Sequence, residues 1–228
     1  MPTVAALEIG QAPRPDLVAE AKAVLPDGVT LLEFGALDGI DPRSIPAADR
    51  HAANPLSTRL TDGRRIVVDE PWLAPHLQAA VRRAELAGAD ALLLLCAGGF
   101  AELTSERPLI RPTEAVARVL HDRDVTTILL VVPVEGQVAP STSKWRVFGF
   151  EPVPLVASLP DGIADVVAAA DRLPAVVLDY VGHARDIVDR LDEALRARTH
   201  ATLHDLGRAG ARAVAELLAS DRTRGVPA

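Results

Sequence analysis

The sequence predicts an α/β fold in which mostly parallel strands alternate with helices. Short apolar runs rich in Val, Ile and Leu alternate along the chain with stretches of helical periodicity. The runs are apolar at consecutive positions, as in ALLLL at 91–95, which is typical of strands buried on both faces. Two pairs of segments are similar, TVAALEIG with TTILLVVP and ALLLLCAGG with AVVLDYVGH. This similarity indicates either two related halves or simply buried strands of like composition.

The elements follow from this alternation. Strands are expected at 3–9, 29–34, 91–96, 126–132, 152–157, 175–179 and 201–204. Helices are expected at 15–25, 75–88, 113–121, 139–148, 161–172, 183–197 and 206–219. The segment 56–70 breaks the pattern, because Asp62-Gly63 between two β-prone stretches predicts a hairpin. A hairpin inserted in a parallel protein is expected to lie over a site.

Composition limits the class of protein. The chain has 228 residues, of which 49% are hydrophobic and 24% charged, as in soluble globular proteins. Its net charge of -7 argues against binding to a nucleic-acid backbone. A single cysteine cannot form an intramolecular disulfide, which fits a reducing compartment. The sequence shows neither a signal peptide nor an apolar run long enough for a membrane span, so we expect a cytoplasmic protein.

The two halves are expected to divide at residues 110 and 198. Residues 1–110 with 199–228 would form the first half, and 111–198 the second. A pseudo-twofold would relate the halves, with the active-site cleft between them. Ligands of parallel α/β sheets bind beyond the carboxyl ends of the strands, where both Cys96 and Tyr180 fall.

Cys96 ends an apolar run and is followed by AGGF. A lone cysteine is often a buried and inert residue. Alternatively, Cys96 is a nucleophile or proton carrier, since the glycines at 98 and 99 would let backbone N–H groups approach a bound oxyanion. The sequence leaves both interpretations open.

Two segments in the first half carry donors that suit a carboxylate. The loop GQAPRPD, residues 10–16, is either an ordinary βα turn or an anion seat in which Gln11 and Arg14 supply the donors. Arg59, next to Thr58, either binds a substrate carboxylate through its fork or pairs with Asp62 or Glu70.

In the second half, Gln137 is either a substrate contact or a surface turn residue. Tyr180 is a candidate proton donor, and His183 a candidate base, in the segment LDYVGH. The alternatives are a packing tyrosine and a surface or capping histidine. A Cys/His/Asp hydrolase using Cys96, His183 and Asp179 is a minor interpretation. The six scattered histidines predict no metal site.

Eight motifs fall in the order and spacing of the AroM family of bacterial proteins: EIGQAPRPD, LDG, LSTRLTDG, LLLLCAGGF, VVPVEGQ, KW, LDYVGH and ARAVAELLA. The chain resembles that family over nearly its whole length. The family is in turn similar to the aspartate/glutamate racemase superfamily, which includes amino-acid racemases, hydantoin racemase, maleate isomerase and arylmalonate decarboxylase. The resemblance implies two Rossmann-like halves with a cleft between them, no cofactor, and a catalytic cysteine on a strand end of each half.

By this resemblance Cys96 matches the first cysteine, and Tyr180 stands where AroM-like sequences have the second, in an LDC-x-G segment. A racemase needs one group to remove the α-proton and another to deliver a proton from the far side. An ordinary phenol has a pKa of about 10, so a tyrosine in place of the second thiol puts symmetric racemisation in doubt. Two chemistries need only one thiol. Cys96 could protonate a carbanion after decarboxylation, or add covalently to an unsaturated diacid.

We therefore expect a cofactor-independent racemase, isomerase or decarboxylase that acts on a small carboxylic acid or amino-acid derivative. Cys96 and Tyr180 are the expected catalytic residues. The expected substrate-binding residues are Gln11, Arg14, Thr58, Arg59, Gly98, Gln137, Gly182 and His183. The alternative is a small-ligand-binding protein that keeps the cleft and lacks turnover because Tyr180 replaces the second cysteine. The expected partner is a small carboxylate, and we expect no binding to nucleic acid, membrane or metal. Whether the chain forms a homodimer is left open at this point.

Overall fold

The computed structural model of the chain describes residues 1–48 and 54–224, and the chain divides into two compact units. Unit 1 comprises Met1–Pro112 and Gly210–Ala228, and unit 2 comprises Thr113–Ala209. The sequence-based division assigned 199–228 to the first half. Residues 199–209 group instead with unit 2, because the strand at Thr202–Asp205 pairs with another strand of that unit.

Unit 1 contains a parallel sheet and a hairpin. Its strands are β1 (Thr3–Glu8), β2 (Thr30–Gly35), β3 (Pro55–Arg59), β4 (Arg65–Asp69), β5 (Ala91–Leu94) and β6 (Leu109–Ile110). Its helices are α1 (Pro15–Val24) and α2 (Glu70–Leu86). The parallel sheet has the order β2-β1-β5-β6, and β3 pairs with β4 in antiparallel register. Every residue of β5 is buried, which explains its uninterrupted apolar run.

Unit 2 contains a second parallel sheet. Its strands are β7 (Thr127–Val132), β8 (Glu151–Val156), β9 (Ala175–Leu178) and β10 (Thr202–Asp205), in the order β10-β9-β7-β8. Its helices are α3 (Pro112–His121), α4 (Val138–Val147), α5 (Ile163–Ala169) and α6 (Arg185–Arg198), while α7 (Leu206–Arg224) begins here and continues into unit 1. On α6, Val188, Leu191 and Leu195 repeat at helical spacing and pack into the core of this unit.

The two parallel sheets share one internal strand order. Numbered within each parallel sheet, the strands run second, first, third, fourth. The similar sequence segments occupy equivalent positions, because β1 and β7 are the first strands and β5 and β9 the third. The predicted α/β class with mostly parallel strands is confirmed, and in the described residues antiparallel pairing is confined to the β3–β4 hairpin. Over those same residues, no helix combines the length and apolarity needed to cross a bilayer.

Three elements differ from the prediction, one of which is α7, since it ends at Arg224 rather than at residue 219. Helix α2 begins at Glu70 rather than at residue 75, because β4 runs into it without a loop and Pro71 lies in the first turn, where its missing N–H is harmless. Pro75 lies inside the helix rather than at its start. Strand β6 spans only Leu109–Ile110, too short to give a sequence pattern.

The predicted hairpin is confirmed, and it lies against the end of β1. Leu60 N–H donates to Arg64 O at 2.9 Å, which closes a three-residue loop whose last residue, Gly63, has φ of +85°. The carbonyl of Arg59 accepts the N–H of Gln11 at 3.3 Å. A Cβ at Gly10 would overlap that carbonyl and lie 2.5 Å from Thr58 Oγ1. Only glycine at position 10 lets the hairpin approach β1 this closely.

Gly10→Ala is therefore expected to push β3 away from β1 and lower the free energy of unfolding by about 1–3 kcal/mol. The obstacle is backbone of β3, which has little room to shift. Gly136→Ala is the control, since a Cβ there meets no atom within 4 Å and the residue has no positive φ. Denaturant unfolding of the two variants measures the difference. Equal stability for both would contradict the close approach at Gly10.

Candidate functional site

Cys96 lies just past the C-terminal end of β5. Leu95 N–H donates to Leu7 O at 2.8 Å, which extends the pairing of β5 with β1 and puts Cys96 at the sheet edge where Glu8 ends β1. Cys96 is 7% exposed, and its sulfur accepts the N–H of Gly98 at 3.2 Å. A backbone N–H directed at sulfur is the kind of donor that stabilises a thiolate. Cys96 and Gly98, which the sequence predicts at a strand end, are therefore joined there by a hydrogen bond.

The turn after Cys96 is tight because Gly98 packs under Phe100. Phe100 is buried and has φ of +40°, which is rare for an aromatic residue. Its N–H donates to Glu70 Oε1 at 3.0 Å, so a side chain of α2 holds this backbone conformation. A Cβ at Gly98 would lie 2.7 Å from Phe100 Cε2 and 3.3 Å from Cys96 Sγ. The loop therefore requires glycine directly beside the thiol.

Three side chains of α2, which we name the α2 clamp, hold the loop that follows Cys96: Glu70, Gln78 and Glu85. Gln78 Oε1 accepts the N–H of Thr104 at 3.0 Å, and Glu85 Oε1 accepts the N–H of Glu106 at 2.7 Å. A hydrogen bond from the Ser105 hydroxyl is the main cause that lowers the pKa of Glu85. The clamp residues are about two helical turns apart, so they share one face of α2 and fix the loop along it.

Gly98→Ala is expected to slow any reaction of Cys96 at least about tenfold, because the added methyl group displaces Phe100 or the sulfur by the overlap described above. Gly99→Ala is the matched control, since a Cβ at that neighbouring glycine meets no atom within 4 Å. The measurement is the second-order rate of Cys96 alkylation by iodoacetamide in the folded protein. Equal rates in the two variants would contradict the role of Gly98.

Gln11 crosslinks three segments of unit 1. Its Nε2 donates to Leu37 O at 3.1 Å and Ile40 O at 3.4 Å, and its Oε1 accepts from the N–H and the hydroxyl of Thr61. Gln11 is only 8% exposed. The side chain thus ties the β1–α1 loop to the hairpin and to the loop after β2, and these contacts use both ends of its amide.

Arg14 and Arg59 converge on one carboxylate. Arg14 Nε donates to Asp16 Oδ1 at 2.9 Å and its Nη2 donates to Oδ2 at 2.8 Å. Arg59 Nη1 lies 3.8 Å from Asp16 Oδ2. The hydrogen bonds from Arg14 are the main cause that lowers the pKa of Asp16. Asp62, one expected partner of Arg59, instead pairs with Arg64. Arg59 keeps 38% of its side-chain exposure, so it is the more accessible cation of the two.

Glu8 is a buried carboxyl that the sequence analysis did not single out. Because Ala6 pairs with Glu33 on β2, Glu8 and Glu33 lie on the same face of the sheet. Burial, followed by the close approach of the Glu33 carboxyl, raises the pKa of Glu8 to about 9. Glu33 itself accepts the N–H of Arg14 at 2.6 Å. Glu8 is therefore a neutral carboxylic acid at pH 7, at the same sheet edge as Cys96.

Asp179 follows β9 in unit 2 and is held by helix α4. Lys144 Nζ donates to its two oxygens at 2.7 and 2.9 Å, and Trp145 Nε1 donates to Oδ1 at 3.1 Å. The Asp179 side chain is 1% exposed, and Trp145 is fully buried. The carboxylate thus anchors α4 to the end of β9. It is not the partner of His183 that the hydrolase interpretation expected.

His183 pairs with Asp205 instead. His183 Nδ1 lies 3.1 Å from Asp205 Oδ2, and the two side chains are 15% and 4% exposed. The ring of Tyr180 meets the ring of His183 edge-on, with centroids 5.2 Å apart. Gly182 between them has φ of +112°, a conformation that favours glycine. Tyr180, Gly182 and His183 therefore form one turn beyond the end of β9.

Gln137 ends a short 3-10 helix, Glu135–Gln137, that follows β7. Its Oε1 is buried and, among the described residues, has no hydrogen-bond partner. A buried acceptor without a donor is unfavourable unless a ligand or water supplies one. This is the feature of unit 2 that best fits a contact with a bound amide or hydroxyl group.

The predicted site residues thus form separate groups in each unit. In unit 1, Gln11, Arg14, Thr58 and Arg59 gather where the hairpin meets the end of β1, and Cys96 lies with Gly98 beyond β5. In unit 2, the segment 180–183 follows β9, and Gln137 follows β7. The residues missed were Glu8, Glu33, Lys144 and Asp205. Local signals could have found two of them: Glu8 is the one charged residue of β1, and Asp205 precedes a helix start as an N-cap does.

Over the described residues, no group of three or more His, Cys, Asp or Glu side chains is placed to hold a metal ion. His204 also stands apart from any such group. Burial, and then the charge of Arg123, lowers its pKa to about 4, and its Nε2 lies 2.9 Å from Thr202 Oγ1 on the same strand.

Several solved structures resemble this chain. Allantoin racemase from Klebsiella pneumoniae has a TM-score of 0.67 at 17% identity, with 97% of this chain and 89% of that chain covered. Arylmalonate decarboxylase has a TM-score of 0.63 at 12% identity, with 95% and 92% covered. The maleate isomerase Iso from Pseudomonas putida S16 has a TM-score of 0.62 at 11% identity, with 96% and 93% covered. At these identities the likeness establishes a shared fold.

The family assignment rests on the sequence. A search of curated proteins finds no match. The model of the AroM protein family, in contrast, matches residues 4–218. The match includes the Cys96 loop, the hairpin and the turn at 180–183, so the resemblance inferred from the motifs is confirmed. The chain belongs to the AroM protein family.

Proposed function

We propose that this protein is a cofactor-independent enzyme of the racemase, isomerase or decarboxylase type that acts on a small carboxylic acid or amino-acid derivative. Cys96 would be its acid, base or nucleophile. The observation that carries the proposal is the Gly98 N–H at 3.2 Å from Cys96 Sγ, at the end of a buried strand. A backbone donor directed at the sulfur stabilises the thiolate, which is the reactive form of cysteine.

The fold supports this class of chemistry. The similar structures are an allantoin racemase, an arylmalonate decarboxylase and a maleate isomerase. Two of these names refer to dicarboxylates, maleate and arylmalonate. These likenesses favour a small carboxylate as the substrate of the present chain, and its single cysteine favours a reaction that needs one thiol.

The proton and electron balance of the reaction is simple. In racemisation, the Cys96 thiolate takes the α-proton and leaves the electron pair on the carbon as an enediolate, which is then protonated from the other side. In decarboxylation, carbon dioxide leaves and the Cys96 thiol protonates the remaining carbanion. In isomerisation of an unsaturated diacid, the thiolate adds to the double bond, rotation follows, and the thiolate leaves.

Some of the expected site residues would contact the substrate directly, and others would only shape the loops around it. We propose Arg59 and Gln137 as direct contacts, since one is a partly exposed cation and the other a buried acceptor. Gln11, Arg14 and Thr58 would act by shaping the hairpin and the β1–α1 loop, because their polar groups already bind within unit 1 or face Gly10. The resemblance aligns Tyr180 with the second cysteine, so we propose Tyr180 as the second catalytic residue.

Proton exchange in deuterated water tests the proposal. The panel consists of amino acids, hydantoins and substituted malonates, each followed by NMR for deuterium at the α-carbon. We expect incorporation in at least one compound, and loss of it after alkylation of Cys96 with iodoacetamide. If a panel compound binds tightly and no compound of the panel exchanges its α-proton, the proposed enzymatic activity is contradicted. That result would support instead a binding protein in which Tyr180 has replaced the second cysteine.

A further inference from the structure

The pair formed by His183 and Asp205 has the geometry of an oriented base. His183 Nδ1 lies 3.1 Å from Asp205 Oδ2, and the Asp205 side chain is 4% exposed. A carboxylate facing Nδ1 selects the tautomer with the proton on that nitrogen, which leaves the lone pair on Nε2. Among the described residues, no group hydrogen-bonds Nε2. The pairing therefore points the basic nitrogen of the ring away from its carboxylate.

Asp205 is fixed by a second contact. It ends β10 immediately before α7, and its Oδ1 accepts the N–H of Arg208 at 2.9 Å, as an N-cap residue does. A Cβ at Gly207 would lie 3.2 Å from the same oxygen. One oxygen of Asp205 thus caps the helix while the other faces His183, so the carboxylate cannot rotate away from the imidazole without losing the cap.

Two ionisable residues touch this pair, because Arg208 donates its backbone N–H to Asp205 and Tyr180 packs against His183. Arg208 Nη2 donates to Arg185 O at 2.9 Å and lies 2.9 Å from Asp189 Oδ1. Tyr180 contacts the His183 ring edge-on, at an interplanar angle of 74°, rather than through its hydroxyl. The carboxylate that faces Nδ1 of His183 is therefore that of Asp205.

We propose that His183, oriented by Asp205, takes a proton from the substrate and returns it, with Tyr180 packed against its ring. This rests on the proposed function. Nε2 would take the α-proton of a carbon acid next to a carboxylate or amide carbonyl. The electron pair stays on the carbon as an enediolate, and the imidazolium later returns its proton to a carbanion or to water. Asp205 is the positioning residue, because it touches the imidazole and not the substrate.

The tautomer of His183 tests the role of Asp205 without any substrate. Two-bond proton–nitrogen NMR of labelled protein, at about pH 8, is expected to show the Nδ1–H tautomer in the wild type. Asp205→Asn keeps the helix cap, because Asn caps as well as Asp, but presents an amide donor to Nδ1 and is expected to shift the ring to Nε2–H. His200→Gln removes an exposed histidine of the same unit and should leave the His183 signals unchanged. An Nε2–H tautomer in the wild type, or no change in Asp205→Asn, would overturn the assignment.

Turnover tests the role of His183 itself. With the panel compound that exchanges fastest, His183→Gln and Asp205→Asn are each expected to lower kcat about 10²–10⁴-fold with little change in KM, while His200→Gln keeps the wild-type rate. Exchange that survives in His183→Gln would contradict the role of His183 alone. No exchange in the wild type would contradict the proposed function, and with it a proton carried by His183.

Discussion

Asp179→Ala is expected to lower the free energy of unfolding by about 3–5 kcal/mol, because it leaves the ammonium of Lys144 without its buried carboxylate. Lys144 Nζ contacts both oxygens of Asp179, and the side chains are only 16% and 1% exposed. The substitution also removes the acceptor of the Trp145 indole N–H, in a residue that is fully buried. The end of α4 nearest to β9 is expected to loosen. Urea unfolding followed by tryptophan fluorescence and by circular dichroism measures both effects.

An exposed ion pair of the same unit provides the control. Arg146 and Glu151 lie 3.1 Å apart, with side chains that are 59% and 66% exposed. Glu151→Ala is expected to change stability by no more than about 1 kcal/mol, since water and salt screen such pairs. Asp179→Asn separates charge from hydrogen bonding and is expected to fall between the two. A loss in Asp179→Ala as small as that in Glu151→Ala would show that the buried pair contributes little.

Glu8→Gln is expected to stabilise the protein, increasingly so as the pH rises. The pKa of Glu8 is raised from the ordinary 4.5 to about 9, first by burial and then by Glu33. Between these values the unfolded chain releases the Glu8 proton and the folded chain keeps it. As far as Glu8 is concerned, the free energy of unfolding is therefore highest below pH 4.5. It falls as the pH rises towards 9, by about 1.4 kcal/mol for each pH unit. A glutamine of the same shape has no proton to lose and lacks this slope.

Unfolding curves of the wild type and Glu8→Gln at several pH values test this expectation. The two proteins should have similar stabilities at about pH 4.5 and diverge steadily towards pH 8. Because all other groups are common to both proteins, the difference between the curves isolates Glu8. Parallel curves over this range would contradict a buried, protonated Glu8.

The fold could be predicted because the central strands of the two sheets, β1 and β5 in one and β7 and β9 in the other, are buried on both faces. Such strands give uninterrupted apolar runs, as in β5 and β9, and these runs are visible without any knowledge of pairing. The hairpin was visible from Asp62-Gly63 between two β-prone stretches. The start of α2 was not, since Pro75 looks like a first-turn residue until the direct passage from β4 into the helix is known. The membership of residues 199–209 in unit 2 depends on the pairing of β10 with β9, which local pattern does not reveal.

The candidate site was predictable only in part. Cys96 and Gly98 carry a local signal, because a thiol and a glycine follow an apolar run. Gln11 and Arg14 also stand out locally, yet their polar groups are engaged by residues such as Thr61 and Asp16. The pairing of His183 with Asp205 joins residues on different elements, and the fold decides it. Sequence pattern identified which residues could react, and tertiary contacts decide which of them are already occupied.

The role of Cys96 is tested most directly by α-deuterium incorporation in Cys96→Ser. With the panel compound that exchanges fastest in the wild type, the serine variant is expected to lose at least about 10²-fold in rate, because a hydroxyl neither takes nor gives the proton as readily as a thiol. His200→Gln should exchange at the wild-type rate. Deuterium incorporation at the wild-type rate in Cys96→Ser would contradict the account, and so would a wild-type protein that exchanges no compound of the panel.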